Sequence, residues 1–562
     1  IMVKRGQIFS SVAYSKPKRS MFNLSYENKL TLNMGQLVPF YVQEVSPHDT
    51  LKVGNDYLLR AQPMLAPMMH RVDVYQHYFF VPYRIIWNEF EKFITGGESG
   101  EETAQMPYLL PIDIINATDG QKKLLDLLGY PMPPDNVDTS NLNETKISTL
   151  RLRAYNRIYN EYYRDQNLQY KVNNNDYSSH DVPSNQNYEL LYRAWKKDYF
   201  TSALPFAQRG VSVGIPWTGG DVELDFDSSS GKYQRLVDAN GNPISTGMTY
   251  LGAYNDNNVN GGLGVSDPYH MLTGVAGTST STQTLSTSSI PDSSGFGTQV
   301  NVDPNGTMRI SQLDINIDDF RRANAIQRWL EKNARAGGRY VEQILSHFGI
   351  HPKDYRLDRP QYLGGGLQPL GISEIVQSSA TEGSTYTPQG NLAGKATSTN
   401  SQYVFKETFD EHGVVIGLIS IIPHAGYQQG LSRHLTKFDK FDFMQPEFAN
   451  LGEQAVENQE LYFSFEKEQT NTNTDTFGYQ SRYAEYKYTP DEVHGDFRSS
   501  MNFWHLNRIF ANRPLLNGSF VECRPSKRVF AVTTQNVDSF LLDIYNSVDA
   551  KRCLPTYSTP AL

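Results

Sequence analysis

"MLAPMMHRVDVYQHYFFVPYRIIWNEF", residues 64–90, changes its period halfway along. Up to Pro82 it alternates. Val72, Val74, Tyr78 and Phe80 share one face, interrupted by Gln76, while Asp73, Tyr75, His77, Phe79 and Val81 share the other, which is half polar. β-Branched and aromatic residues in that pattern predict a strand covered on one side and partly covered on the other. Pro82 lacks the donor a ladder needs, which ends the strand. Beyond it the spacing turns helical: Ile86, Phe90 and Phe93 stand at i, i+4 and i+7, Trp87 and Ile94 widen the stripe, and Thr95-Gly96-Gly97 stops it. A strand therefore feeds a short amphipathic helix, and each carries an aromatic face that needs a partner.

Working outward, strand patterns recur along the whole chain. "GQLVPFYVQEV" (35–45) and "TLKVGNDYLLR" (50–60) flank the turn signal "SPHD". Later come "VSVGIPW" (211–217), "VELDFD" (222–227), "GVVIGLISIIP" (413–423) and "FVECRPSKRVFAVTTQNV" (520–537). Strands spread from end to end predict one mainly β sandwich, residues 31–562, closed by long-range pairing and carrying large insertions. A helical insertion is expected at about 84–205. Within it, residues 149–168 place Leu152, Tyr155, Tyr159 and Tyr162 on one helical face, and "YELLYRAWKKDYF" (188–200) also reads as helix. A second helical insertion, 317–349, places Ile326, Leu330 and Ala334 on one stripe, pauses at Gly337-Gly338 and resumes with Val341, Ile344, Leu345 and Phe348. These helices are expected to pack on the sandwich. Residues 228–309 and 377–404 are rich in Ser, Thr, Gly and Asn and are expected as exposed polar loops.

The 562 residues include 35 tyrosines and 28 phenylalanines, a large amphipathic area suited to cores and to extensive protein contacts. Mean hydropathy is −0.51 and no apolar run approaches the length of a membrane span, which predicts a soluble protein. The opening "IMVKRGQIF" carries no secretory pattern. Two cysteines, Cys523 and Cys553, make no disulfide framework and fit a reducing compartment. Net charge is −9, so the whole molecule is no general nucleic-acid binder. Yet no acid precedes Glu27, while Lys4, Arg5, Lys16, Lys18 and Arg19 are interleaved with Phe9, Tyr14 and Phe22. A basic aromatic arm, residues 1–30, fits phosphate neutralisation and base stacking on single-stranded nucleic acid; a solvated terminus fits the same composition.

Catalytic and metal motifs fail on their context. "GVSVG" (210–214) matches a nucleophile elbow around Ser212, but Val211, Val213 and Ile215 alternate as a strand and Pro216 forbids the helix such an elbow needs. His347 and His351 have metal-ligand spacing, but Gly349 and Pro352 break the helix between them. "DNNVNGGLGVSD" (256–267) places Asp256, Asn258, Asn260, Gly261 and Asp267 near a calcium-loop pattern without flanking helices. "GGG" (364–366) lacks the strand-then-helix setting of a phosphate loop. No enzyme activity, cofactor or metal is expected.

Seven stretches, in order, resemble the major capsid proteins of the Microviridae, in particular the gokushovirus-like branch. They are "FNLSYENKLTLNMGQLVPFYVQEVSPHDTLKV" (22–53), "APMMHRVDVYQHYFFVPYRIIWNEFEKFITGG" (66–97), "LRAYNRIYNEYYRDQNL" (152–168), "DYFTSALPFAQRG" (198–210), "RPQYLGGG" (359–366), "YQQGLSRHLTKFDKFDFMQPEFANLGEQAV" (427–456) and "FGYQSRYAEYKYTPDEVHGDFRS" (477–499). The resemblance implies an eight-stranded antiparallel jelly roll assembled as a T=1 icosahedral shell around a circular single-stranded DNA genome. It implies a virion protein assembled in the bacterial cytoplasm, with internal scaffolding, DNA-pilot and small DNA-binding proteins as further partners. It also implies a surface protrusion, for which 228–309 is the candidate and a host surface receptor the expected target. A shell subunit needs apolar area beyond a monomer's needs, which makes Trp87, Phe90 and Phe93 candidate subunit contacts. A β-sandwich carbohydrate-binding or adhesin-like protein is the alternative.

Overall fold

The computed structural model describes residues 18–210 and 317–557, except 100, 135–136, 138–141, 173–178, 187, 338, 352, 379–389, 467–471 and 535–536, together with four two-residue ladder segments between 225 and 309. By contact the chain divides into a unit of Ile1–Val211 with Trp329–Leu562 and a second unit, Ser212–Arg328. In the second, Asp225–Phe226 pairs antiparallel with Met308–Arg309, and Leu236–Val237 with Asn301–Val302. The expected strand at 211–217 and the calcium-like loop at 256–267 lie outside the described residues.

The larger unit is built on two antiparallel sheets. Its longer strands are β1 (Ser20–Asn23), β2 (Tyr26–Leu32), β3 (Val38–Val45), β4 (Thr50–Ala61), β5 (Val72–Pro82), β6 (Gln361–Pro369), β7 (Gly371–Val376), β8 (Leu392–Thr408), β9 (Gly413–Pro423), β10 (Glu453–Glu457), β11 (Thr476–Ser481) and β12 (Phe540–Arg552), of which β10 and β11 pair only with each other. In the first sheet the order is β1–β12–β4–β8–β7, with β2 also on β12; in the second it is β6–β5–β9–β3. Consecutive strands from β2 to β5 therefore alternate between sheets. The two sheets share one apolar core, the arrangement of a β-sandwich: Tyr78 of β5 meets Phe405 of β8 with ring centroids 5.6 Å apart, and Phe40 of β3 at 5.4 Å.

β5 runs from Val72 to Pro82, and its last pair, Pro82 with Gly413, ends the ladder as its sequence predicts. Its second face is more fully covered than expected. Phe79 packs on Tyr162 at 4.7 Å, and buried Asp73 accepts contact from His424 Nε2 at 2.9 Å. The glycine run 364–366 lies in β6, where a Cβ on Gly365 would sit 2.2 Å from the Gln76 carbonyl oxygen. Close strand approach, and not phosphate binding, requires those glycines.

Four expectations are corrected. The described residues of 520–534 do not form the expected strand: a helical turn at Gly518–Val521 is followed by loop, because Pro525 and the charged "RPSKR" run interrupt the ladder. The strand lies just beyond, at β12, whose buried residues alternate from Phe540 to Ala550. Residues 188–200 are extended, not helical; Leu37 N donates to Leu191 O at 2.9 Å and Cys523 N to Arg193 O at 2.8 Å, so tertiary pairing overrides helix propensity. Much of the expected polar loop 377–404 is β8, a central strand whose Ala396, Ser398 and Phe405 face inward. The expected arm 1–30 ends earlier, since β1 and most of β2 belong to the first sheet.

Helices α1 (Phe90–Thr95), α2 (Asp119–Leu127), α3 (Leu150–Ile158), α4 (Ile317–Ala336) and α5 (Tyr340–Phe348) occupy the insertions. α3 buries Leu152 and Tyr155, as their spacing predicts, and Tyr159 follows in a wider turn. α4 and α5 break at Gly337, whose φ is +110°. No described helix is long and apolar enough to cross a membrane.

Candidate assembly surface

The segment after β5 is two short pieces instead of one helix. A 3-10 turn at Tyr83–Ile85 is followed by α1, which Gly96 ends in the left-handed conformation. Trp87 and Phe90 are buried within their own chain: Phe90 meets Tyr83 at 5.4 Å and His412 at 5.8 Å, and Trp87 meets Phe93 at 5.2 Å. Phe93 is 41% exposed and Ile94 more so. The fold thus separates the three candidate contacts into two anchors and one outward residue.

Of the candidate DNA-contacting residues, Lys4, Arg5 and Lys16 lie outside the described residues. Lys18 is exposed. Arg19 is tied to the β3–β4 turn, donating from Nη1 to His48 O at 2.7 Å and to Thr50 Oγ1 at 3.1 Å. That turn adopts a positive φ at His48. The arm is therefore clamped to the sheet at Arg19.

A cluster of exposed aromatic side chains lies where composition alone does not single it out. Residues 433–448 form two 3-10 turns joined by irregular chain, and Phe438 (93% exposed), Phe441, Phe443 and Met444 project from it. Lys437 anchors the segment, its ammonium 3.9 Å from the Tyr486 ring centroid and 2.7 Å from the Tyr486 hydroxyl. The signal in the sequence is "KFDKFDF", aromatics separated by charges, which suits a surface segment with an apolar side. α5 is a second case. No residue of it is buried, Phe348 is 75% exposed, and Trp329 of α4 is half exposed. The expectation that these helices pack their apolar face on the sandwich is not met for α5.

His347 and His351 do not meet as ligands. His347 Nε2 instead sits 2.7 Å from Asn333 Oδ1, and no cluster of three or more His, Cys, Asp or Glu side chains among the described residues is arranged to hold a metal. Both cysteines are free thiols.

A β-sandwich that leaves several aromatic rings uncovered has the surface of a protein that works by associating. Residues 10–562 match the family model described as "Capsid protein (F protein)", and the chain belongs to that family. It is similar to the capsid protein VP1 of Chlamydia phage 1, 36% identical over 99% of this chain and 97% of the relative. VP1 of Bdellovibrio phage phiMH2K is 32% identical, covering 98% and 97%, and VP1 of Spiroplasma virus 4 is 29% identical, covering 97% and 95%. The resemblance to Microviridae capsid proteins is borne out, and the chain is a structural, non-enzymatic component of the virion. Family membership removes the adhesin-like alternative.

Proposed function

We propose that the chain folds as an eight-stranded jelly roll and self-assembles into a T=1 icosahedral shell enclosing a single-stranded DNA genome. The observation that carries this reading is the strand order. Leaving out the flanking β1 and β7, one sheet reads β2–β12–β4–β8 and the other β3–β9–β5–β6. That interleaving, in which each half of the chain contributes two strands to each sheet, is what winding one long antiparallel hairpin into a sandwich produces.

Subunit contacts in this reading come from Phe93 and Ile94, from the segment around Phe438, and from α5, with Trp87 and Phe90 holding α1 in place from within. The uncovered rings support it, since aromatic side chains bury roughly 150–250 Å² each and a stable interface needs about 800 Å² per partner. Residues before β1, with Lys4, Arg5, Lys16 and Lys18, face the genome, and Arg19 is the clamp where the arm leaves the sheet. The insertion 228–309 is the outer protrusion that takes part in host attachment. Scaffolding, DNA-pilot and small DNA-binding proteins of the phage complete the particle.

Nuclease protection tests the genome-enclosing part. Particles of the wild-type chain are expected to protect single-stranded DNA. Particles of a chain lacking residues 1–16 are expected to assemble but to protect less. Equal protection by intact shells of the truncated chain removes the arm from the proposal.

A further inference from the structure

A cavity of about 910 Å³ lies between the face of β5 that carries Tyr75 and His77 and the insertion segments around residues 162–166, 193–197 and 334–342. Its volume is that of a small-molecule site. The described residues lining it include seven arginines and lysines and only three carboxylates. Those carboxylates are engaged: Asp165 with Lys197 at 2.5 Å, Glu342 with Arg339 at 3.2 Å and Asp354 with Arg359 at 3.4 Å. No described carboxylate stands within ion-pair distance of Arg164, Arg193 or Lys196.

A fourth lining cation, Arg335, pairs with Glu453 outside the cavity, and Arg164 Nη1 donates to Gln169 O at 2.7 Å, which leaves Arg164, Arg193 and Lys196 with neutral partners only. Arg193 stacks on Tyr75, its guanidinium 4.0 Å from the ring centroid, and donates to Ser420 Oγ at 3.2 Å, both neutral partners. Arg164 has a buried Nε without a hydrogen-bond partner, and burial, then the neighbouring Arg339, depresses its pKa. His77 contributes no charge of its own. Burial, then Arg193, lowers its pKa to about 4, and its Nδ1 lies 2.7 Å from the Tyr163 hydroxyl. Clustered guanidinium groups with an orphaned buried donor are stabilised by an anion that accepts from several of them at once. The space exceeds what a bare phosphate fills, and the half-exposed Tyr362 ring offers a flat surface beside it.

We propose that this cavity binds a phosphate ester carried on a ring, a phosphosugar or a nucleotide, with Arg164, Arg193 and Lys196 holding the phosphate and Tyr362 the ring. The site belongs to a single chain and stands independently of shell formation.

Calorimetric titration of the purified full-length protein tests it, with glucose 6-phosphate, dAMP and unphosphorylated glucose as probes. Both phosphorylated probes are expected to bind and glucose is not. Arg193→Met is expected to weaken them roughly tenfold or more, and Lys196→Ala severalfold. Lys196 is exposed, so its variant keeps the wild-type melting temperature. Tighter binding of dAMP identifies the occupant as a nucleotide, and tighter binding of glucose 6-phosphate as a phosphosugar. The proposal is overturned if neither phosphorylated probe binds, if glucose binds as well as its phosphate, or if a folded Lys196→Ala and Arg193→Met both bind like wild type.

Discussion

Asn55 on β4 and Gln76 on β5 clasp the two sheets together. Asn55 Nδ2 donates to Gln76 Oε1 at 3.1 Å and to the Tyr78 hydroxyl at 2.7 Å, and Gln402 Nε2 of β8 reaches the same Gln76 oxygen at 2.9 Å. Asn55 and Gln76 are both buried. The one polar break in the apolar face of residues 72–80 is therefore a bridge through the middle of the sandwich.

Removing the acceptor takes a partner from the buried Asn55 amide and from the partly exposed Gln402 amide. Gln76→Ala is expected to destabilise the folded chain by about 2–4 kcal/mol, seen as an earlier urea midpoint with unchanged slope. Unfolding at the wild-type midpoint would mean that the clasp carries no net stability.

Arg153 of α3 and Asp181 form a two-pronged ion pair, Nε to Oδ2 and Nη2 to Oδ1 both at 2.7 Å, and both residues are buried. Thr149 Oγ1 and the Tyr188 hydroxyl also donate to Asp181, at 2.6 and 3.1 Å. Asp181→Ala leaves a buried guanidinium uncompensated and is expected to cost roughly 3–5 kcal/mol. Replacing Arg153 and Asp181 together by Met and Leu is expected to cost less than Asp181→Ala alone. A double variant less stable than the single would contradict that.

Two glycines separate backbone demand from mere composition. Gly35 has φ +79°, and a Cβ there would lie 1.7 Å from the Cys523 carbonyl oxygen. Gly120, in the first turn of α2, has open space around it. Gly35→Ala is expected to abolish accumulation of folded protein, while Gly120→Ala stabilises it by up to about 1 kcal/mol. Soluble yield checks the first variant and a thermal melt the second; a wild-type yield of Gly35→Ala, or a lowered melting temperature for Gly120→Ala, would contradict the respective expectation.

Acid sensitivity follows from two histidines. Burial lowers the pKa of His70 to about 4, with His505 and His424 nearby adding to the shift while the His424 backbone opposes it, and burial with Arg193 does the same for His77. The unfolded chain then binds more protons than the folded one between about pH 6.5 and 4. Stability is therefore unaffected by these groups above 6.5 and falls as pH drops through that window, by about 3 kcal/mol per histidine. His77→Gln is expected to flatten part of the decline in a stability–pH curve; an unchanged curve would assign the decline elsewhere.

The sandwich was legible where a strand shows a single period. β3, β4, β5 and β9 announce themselves, because β-branched and aromatic residues alternate or run unbroken between turn signals. β8 was hidden because its outward positions are Ser, Thr and Asn, so half of a buried strand reads as loop. β12 is legible in the alternation of Phe540, Leu542, Ile544 and Val548, but Phe520, Val521 and the "VFAV" run at 529–532 drew the expected strand into the preceding loop. Residues 188–200 carry helix-compatible side chains, and only their backbone pairing with Gly35, Leu37 and Cys523 makes them extended. The candidate surface was the least legible part. An exposed phenylalanine and a buried one are the same letter, so Trp87 and Phe438 exchange roles only once the fold is known.

Sedimentation of purified full-length protein, with and without co-expressed phage scaffolding protein, tests most directly whether the uncovered rings exist to meet identical copies. Wild type is expected to run as closed, shell-sized particles in at least one of the two preparations. Phe438→Asp, altered at a side chain with almost no intramolecular contact, is expected to keep the wild-type circular dichroism yet sediment as small species. Wild type found only as monomers or small oligomers in both preparations, or Phe438→Asp assembling as wild type does, would contradict it.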